Sequence, residues 1–488
     1  MAQCNIGQCD IGLMGLAVMG QNLALNISDH GYRVAVYNRT TSKVDEFLQA
    51  EAKGRDITGC HSLEEFAAAL KTPRMILLMI KAGEPVDQTI AALIPLLQAG
   101  DILIDGGNSN YLDSMRRQTT LQGKGLRFIG TGISGGEEGA RHGPSIMPGG
   151  SPDAWPFIQP IFQAIAAKLE DGSPCCEWMG AGGAGHFVKM VHNGIEYAYM
   201  QLIAEAYQIL RDGLGLPADE MAVIFTNWNH GSLNSFLIEI SANILAYKDK
   251  DGLPLLDKIV DRSGQKGTGR WTAIAGLEAN VPLTVVAEAV FTRSLSALKE
   301  ERIKTSKIFP NPVKEFSGSV QGLIAELEQA LYTAEILTYS QGFMLLHAAD
   351  QEYNWQMDPA SVARIWRNGC IIRSGLLEKI EAAFRAQPTL EQLFSSPQFL
   401  QEVQAGQSSL RKLISHMVLL GIPLPAFSAA LSFFDGYRCA RLPANLIQAQ
   451  RDYFGAHTYE RSDAPPGTFF HTDWTGSGGS ASSSTYDA

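Results

Sequence analysis

From residue 9 to residue 181, short apolar runs alternate with stretches whose apolar positions recur at helical spacing. Cys9–Met14, Arg33–Tyr37, Met75–Ile80, Asp101–Asp105 and Leu126–Gly130 read as strands. Helical patterns between them predict a doubly wound α/β domain, built on a parallel sheet, over residues 1–181. Strand patterning stops after Gly185. Over residues 182–440 the chain reads as long amphipathic helices with proline and glycine at the joints, a large all-α domain.

The helical region repeats itself. Trp228-Asn229-His230-Gly231, then Ser235 and Ile240, resembles Trp366-Arg367-Asn368-Gly369, then Ser374 and Ile380, displaced by 138 to 140 residues. Each copy follows a predicted long helix carrying a tyrosine beside a glutamine, Tyr207-Gln208 or Tyr339-Ser340-Gln341. A duplicated helical unit follows from this. Residues 441–488 form an extended tail. Pro465-Pro466-Gly467 and the Gly/Ser-rich run from Gly476 to Thr485 have linker composition. Phe469–Trp474 is too aromatic for a solvated linker and is expected to dock on a partner.

A length of 488 residues fits about three domains. The net charge of −11 argues against nucleic acid or an anionic membrane as partner. An anionic ligand therefore needs a local basic cluster. The seven cysteines lack metal-ligand spacing, and an odd number fits a reducing compartment. Met1-Ala2-Gln3 leads almost directly into the first strand, with no secretory segment expected. Apolar runs such as Met75–Ile80 are too short to span a bilayer. A soluble cytoplasmic protein is the expectation.

The first strand runs into Gly15-Leu16-Ala17-Val18-Met19-Gly20, a G-x-A-x-x-G turn that opens a helix. Gly15 suits the tight turn, Gly20 suits close helix–strand packing, and the helix N-terminus suits a pyrophosphate. This is the dinucleotide-binding pattern of a Rossmann-type domain. The second strand ends at Asn38-Arg39-Thr40, where an NAD site places a carboxylate for the ribose hydroxyls. A neutral and a cationic residue suit a 2′-phosphate instead, which points to NADP. Ile80-Lys81-Ala82-Gly83 and Asp105-Gly106-Gly107-Asn108 end two later strands, where ligands of open α/β sheets sit.

Chemistry also concentrates further along. Ser134-Gly135-Gly136 is either an anion-facing backbone or simply a tight turn. Asp261 to Trp271 places Lys266 and Thr268 among glycines, a composition able to wrap a phosphate, and Arg293, Arg451 and His457 add cationic or imidazole groups. In a helix starting near Gly185, Lys189, His192, Asn193 and Glu196 fall at i, i+3, i+4 and i+7, one polar stripe. Val188, Val191, Ile195 and Tyr199 form its apolar flank. The stripe is either a base and an acid for one substrate or a salt-bridged surface.

Together, Gly15–Gly20, Asn38–Thr40, Gly185–Tyr197, Asp261–Trp271 and Gln450–Arg461 closely resemble the 6-phosphogluconate dehydrogenases, decarboxylating NADP enzymes of the pentose phosphate pathway. The resemblance covers essentially the whole chain and implies oxidation of 6-phosphogluconate to ribulose 5-phosphate and CO2. It implies Lys189 as base and Glu196 as acid, no metal because a β-keto acid already has its electron sink, and NADP held by Gly15–Gly20, Asn38–Thr40, Ile80, Lys81, Ala82 and Asn108. It further implies that Asn108, Ser134, Gly135, Gly136, His192 and Asn193 surround the sugar acid, while Tyr197, Lys266, Arg293, Arg451 and His457 lie toward the phosphate. A homodimer with composite active sites is implied as well. Two rival readings are an NADP-dependent β-hydroxyacid dehydrogenase acting on another phosphorylated sugar acid and a silent NADP-binding regulatory protein.

Overall fold

In the computed structural model, which describes residues 7–310, 312, 316–476 and 478, seven strands form one sheet. They are β1 (Ile11–Met14), β2 (Val34–Tyr37), β3 (Ile57–Cys60), β4 (Met75–Leu78), β5 (Ile102–Asp105), β6 (Arg127–Ile133) and β7 (Ile146–Gly150), in the order β3-β2-β1-β4-β5-β6-β7. The five expected strands are present and parallel. Apolar residues fill both faces of the central strands, as burial under helices on both sides requires. Two strands were not expected. β3 is short, carries Gly59 and is only partly buried. β7 reads as a loop because Pro148, Gly149 and Gly150 dominate it, yet it pairs antiparallel with β6 in the register Ile133↔Ile146. The sheet is therefore mixed rather than wholly parallel.

The chain order reverses between β1 and β4, which opens a crevice at the carboxyl ends of the strands. Beyond β7 comes the helical region, opened by the long helix Ala184–Gln208. Its first turn packs on β6 and β7 through glycines. A Cβ at Gly149 would lie 2.4 Å from the Gly185 nitrogen, and one at Gly185 would lie 2.3 Å from the Gly130 oxygen. Absent side chains thus bring the helix against the strand ends.

The second long helix, Val320–Tyr353, packs along the first, with Gly342 giving way to the Ile195 side chain. The repeated landmarks meet where Ser235 and Ser374 form an antiparallel bridge. Phe236 N–H donates to the Arg373 oxygen (3.0 Å) and Gly375 N–H to the Asn234 oxygen (2.9 Å). Trp228 and Trp366 are both buried. Tyr199, rather than Tyr207, plays the part that Tyr339 plays in the second copy. The Tyr199 hydroxyl contacts Ser235 Oγ (3.3 Å), and that of Tyr339 donates to the Ile372 oxygen (3.0 Å).

Contacts group residues 1–430 as one unit and 431–488 as another, the division falling inside the helix Pro425–Tyr437. In the second unit the helix Ala444–Gly455 precedes a small hairpin, β8 (Tyr459–Glu460) and β9 (Phe469–Phe470). Asp452 is its organising group. The buried carboxylate accepts from Thr458 N (2.9 Å), Thr472 N (3.0 Å), the Trp474 indole (2.8 Å) and His471 Nδ1 (2.9 Å). Burial opposes its ionisation, but those donors outweigh burial and hold its carboxyl below the ordinary range. Phe469–Trp474 is thus a folded segment. Most of the Gly/Ser-rich run after Gly476 lies outside the described residues. Among the described residues no helix is long and apolar enough to cross a membrane.

Candidate active site

The glycine turn follows β1 directly. Gly15 has φ +103° and its N–H donates to the Tyr37 oxygen (2.9 Å). A Cβ there would lie 2.4 Å from the Met79 oxygen, and one at Gly20 only 1.9 Å from the Gly15 oxygen, so both positions require glycine. Ala17, extended and without a capping side chain, precedes the helix Val18–Asp29, whose first-turn N–H groups have no partner within the helix. Leu16 points its side chain into the core and donates its N–H to Asn38 Oδ1 (3.1 Å). Asn38 in turn donates to the Thr40 oxygen (2.9 Å), so it shapes the glycine turn from the end of β2. Ala17, Val18, Arg39, Thr40, Lys81 and Asn108 are exposed around the crevice, with Met19, Ile80 and Ala82 partly so. No carboxylate follows β2 at Asn38-Arg39-Thr40. This cradle fits a dinucleotide with an anionic ribose substituent.

At the start of the long helix the polar stripe turns inward, with Lys189 and His192 buried and Asn193 and Glu196 half-buried. Lys189 is 6% exposed and His192 0%, which removes the salt-bridged-surface reading. The apolar flank of Val188, Val191, Ile195 and Tyr199 anchors the helix from the other side. Gly132 of β6 lies so close that a Cβ there would be 2.2 Å from Lys189 Cβ. Burial drives the Lys189 amine below its ordinary pKa, and Glu196 opposes this. Burial, reinforced by Lys189, holds His192 far below the usual imidazole value, so the ring is neutral. His192 Nε2 meets Ser134 Oγ at 3.2 Å, while its Nδ1 lies 3.7 Å from the Glu196 carboxylate. Asn193 donates to that carboxylate (2.9 Å) and leaves its own Oδ1 buried without a protein partner, as is His192 Nδ1. Unpaired buried polar atoms of this kind mark a place where a polar ligand belongs.

Ser134 ends β6, and Gly135 follows in the left-handed conformation with φ +106°. A side chain at Gly135 would strike the Gly369 oxygen at 2.6 Å. One turn beyond Asn193, the Arg293 guanidinium lies 3.5 Å over the Tyr197 ring and donates to the Gly264 oxygen (3.2 Å). Lys266 stands exposed on that segment, just before Gly267 (φ +99°) starts the helix Thr268–Glu278. This helix touches the long one through a missing side chain. A Cβ on Gly269 would lie 2.4 Å from the Tyr197 ring. Arg451 and His457 belong to the second unit, where Arg451 donates to Gln448 (3.0 Å) and His457 packs edge-on to Phe454.

Two family models match the chain, the NAD binding domain of 6-phosphogluconate dehydrogenase over residues 10–180 and the 6-phosphogluconate dehydrogenase C-terminal domain over residues 185–474. The chain belongs to the 6-phosphogluconate dehydrogenase family. The decarboxylating 6-phosphogluconate dehydrogenase of Haemophilus ducreyi is 56% identical over 98% of this chain and 99% of its own. That of Ovis aries is 57% identical over 99% and 100%. The Plasmodium falciparum 6-phosphogluconate dehydrogenase structure superposes with a TM-score of 0.92 at 42% identity, covering 96% of this chain and all of that one.

Some groups beside the candidate site are not apparent from sequence motifs. Trp366, noticed as a repeat landmark, packs edge-on against His192 at 5.8 Å between ring centroids. Gly369 accepts from Ser145 N (2.8 Å), and Ser145 Oγ donates to the Ile365 oxygen (2.7 Å), so the second repeat is tied to the strand ends. The repeated Trp-x-x-Gly was the available signal. Its position beside His192 was not.

Proposed function

We infer that this chain oxidatively decarboxylates 6-phospho-D-gluconate to D-ribulose 5-phosphate and CO2, reducing NADP+. Family membership over the full length supports the reaction. The observation that carries it is the buried Lys189 amine, depressed in pKa, on the same face of the long helix as the Glu196 carboxylate two turns further on. The glycine turn would hold NADP+, with Arg39 and Thr40 at the 2′-phosphate and Ile80, Lys81, Ala82 and Asn108 toward the other end, and the bound cofactor would supply the hydride acceptor.

Lys189, neutral, takes the proton of the C3 hydroxyl as hydride leaves C3. The product is a 3-keto acid. Its C1–C2 bond breaks to release CO2, and the bonding pair moves toward the C3 carbonyl, giving an enediolate. Lys189, now protonated, stabilises the charge that develops on that oxygen. Glu196 delivers a proton to C1 of the pentose. The ketone itself is the electron sink. Ser134, Gly135, Gly136, His192, Asn193 and Asn108 are assigned to the sugar acid, and His192, being neutral, can share a hydrogen bond without competing for the proton. Tyr197, Lys266, Arg293, Arg451 and His457 are assigned to the phosphate.

We further propose a homodimer in which Arg451 and His457 complete the partner's site. Exposed Phe454, Phe469 and Trp474 in the second unit, and Leu277, Phe291 and Leu295 in the first, support a second copy as cover. A cytoplasmic location is proposed with it, in keeping with buried thiols at Cys175, Cys176 and Cys370 that burial keeps protonated.

A single assay tests the reaction: NADPH absorbance and released CO2 measured together from purified protein, NADP+ and 6-phosphogluconate in chelator. Equal amounts of both are expected. NADPH without CO2 would assign the chain to simple hydroxyacid oxidation, and neither product would remove the reading.

A further inference from the structure

Asp105, Arg117 and His186 are buried titratable groups with no part in the reaction above. Arg117 Nη1 pairs with Asp105 Oδ2 (3.0 Å) at the end of β5. Its Nε reaches Asp87 (2.9 Å) and its Nη2 donates to the Gly83 oxygen (3.0 Å). One guanidinium therefore ties the loop after β4 to the turn after β5. Asp105 also holds that turn from within, accepting from Gly107 N (3.1 Å) and Ser109 Oγ (2.6 Å) on either side of Asn108.

His186 grips the same turn from the other direction. Its Nε2 donates to the Gly107 oxygen (3.0 Å), and its Nδ1 accepts from the Ser114 hydroxyl (2.7 Å). The ring is wedged against Gly130, where a Cβ would lie 2.7 Å from Nδ1. His186 lies three residues before Lys189 on the same helix. A continuous chain of buried polar contacts thus links the Ile80–Gly83 loop, the Asn108 turn and the helix of the base.

We propose that Arg117 and His186 are positioning residues for hydride transfer, fixing the two loops assigned to the nicotinamide at a set distance from Lys189. The proposal rests on the reaction inferred above. A buried ion pair kept only for stability would have no reason to reach both loops, and would not need the imidazole that joins them to the catalytic helix.

The test uses full-length Arg117→Lys and His186→Gln, each retaining a hydrogen-bond donor group, with 6-phosphogluconate carrying hydrogen or deuterium at C3. In each variant kcat should fall by up to about 10²-fold, the cost of a misplacement near 1 Å in an oriented reaction. The deuterium isotope effect on kcat should rise above wild type as hydride transfer becomes the slow step. Binding of 2′,5′-ADP, which reads only the Arg39 end, should stay within about twofold. Unchanged isotope effects in both variants, with an active wild type, overturn the proposal. Loss of 2′,5′-ADP binding in parallel with kcat also overturns it, by showing a general structural defect. A wild type that makes no NADPH would instead sink the reaction itself, and the proposal with it. Two independent variants keep the test decisive if one of them does not fold.

Discussion

An amine that abstracts a proton near neutrality must first lose its own, and at Lys189 burial favours that loss while Glu196 resists it. The ordinary value is about 10.4. Because the neutral amine is the active form and the folded pKa lies below that value, kcat/KM should rise with pH through the lowered pKa and then level off. Lys189→Met should abolish that limb and reduce oxidation by at least about 10²–10⁴-fold, since enolate stabilisation is lost together with the base. A pH–rate profile of both proteins checks this, and a Met variant with near-normal turnover would return Lys189 to a packing role. At the other end of the site, Arg39→Ala should weaken NADP+ about ten- to hundredfold and leave NAD+ nearly unchanged, since only the 2′-phosphate loses a charged partner. Titration of both cofactors decides it, equal weakening being the adverse result. The polar stripe and Arg39 were legible in the sequence because helical spacing and the missing carboxylate are local patterns. The burial of Lys189 was not, since it depends on Gly132 in β6, far away in the chain.

Between elements, contact is made largely through side chains that are missing. Gly149 of the sheet meets the backbone of the long helix, Gly130 and Gly132 receive its His186 and Lys189 side chains, and Gly269 and Gly342 admit the neighbouring helices. Gly132→Ala puts a methyl group 2.2 Å from Lys189 Cβ, so helix or strand must shift. A shift on the order of 1 Å should cost about 10²-fold in kcat, and overpacking should cost about 1–3 kcal/mol of stability. NADP+ binding, built on β1 and β2, should persist. Kinetics, thermal unfolding and cofactor titration separate these effects, and a fully active Ala variant would show that this contact does not set the base. The same glycines explain what the sequence hid. Five strands announced themselves through apolar runs, whereas β7 carries Pro148, Gly149 and Gly150 because it must pack closely, and those residues imitate a loop. The duplication was visible through Trp228 and Trp366. The Ser235–Ser374 bridge and the pairing of Tyr199 with Tyr339 required three dimensions.

For the whole molecule, the second unit bears on how many chains build one site. Residues 431–488 form a unit of their own, stiffened by Asp452 and its four donors, which presents Tyr453, Phe454, Phe469 and Trp474 with substantial exposure. Aromatic groups held in that way gain from burial against another surface at about 25 cal/mol per Å². A rigid aromatic unit that carries Arg451 and His457 suits delivery of both residues to a second copy of the chain. Complementation distinguishes that arrangement from a site built within one chain. Lys189→Met and Arg451→Ala should each be nearly inactive alone. When the two are mixed under conditions that exchange subunits, a heterodimer holds one site with both defects and one with neither. Random exchange then makes about half of the dimers mixed, each with one of its two sites intact, so about a quarter of wild-type activity should return. Native mass spectrometry would confirm that heterodimers formed. Their formation without any return of activity would place Lys189 and Arg451 of each site on the same chain.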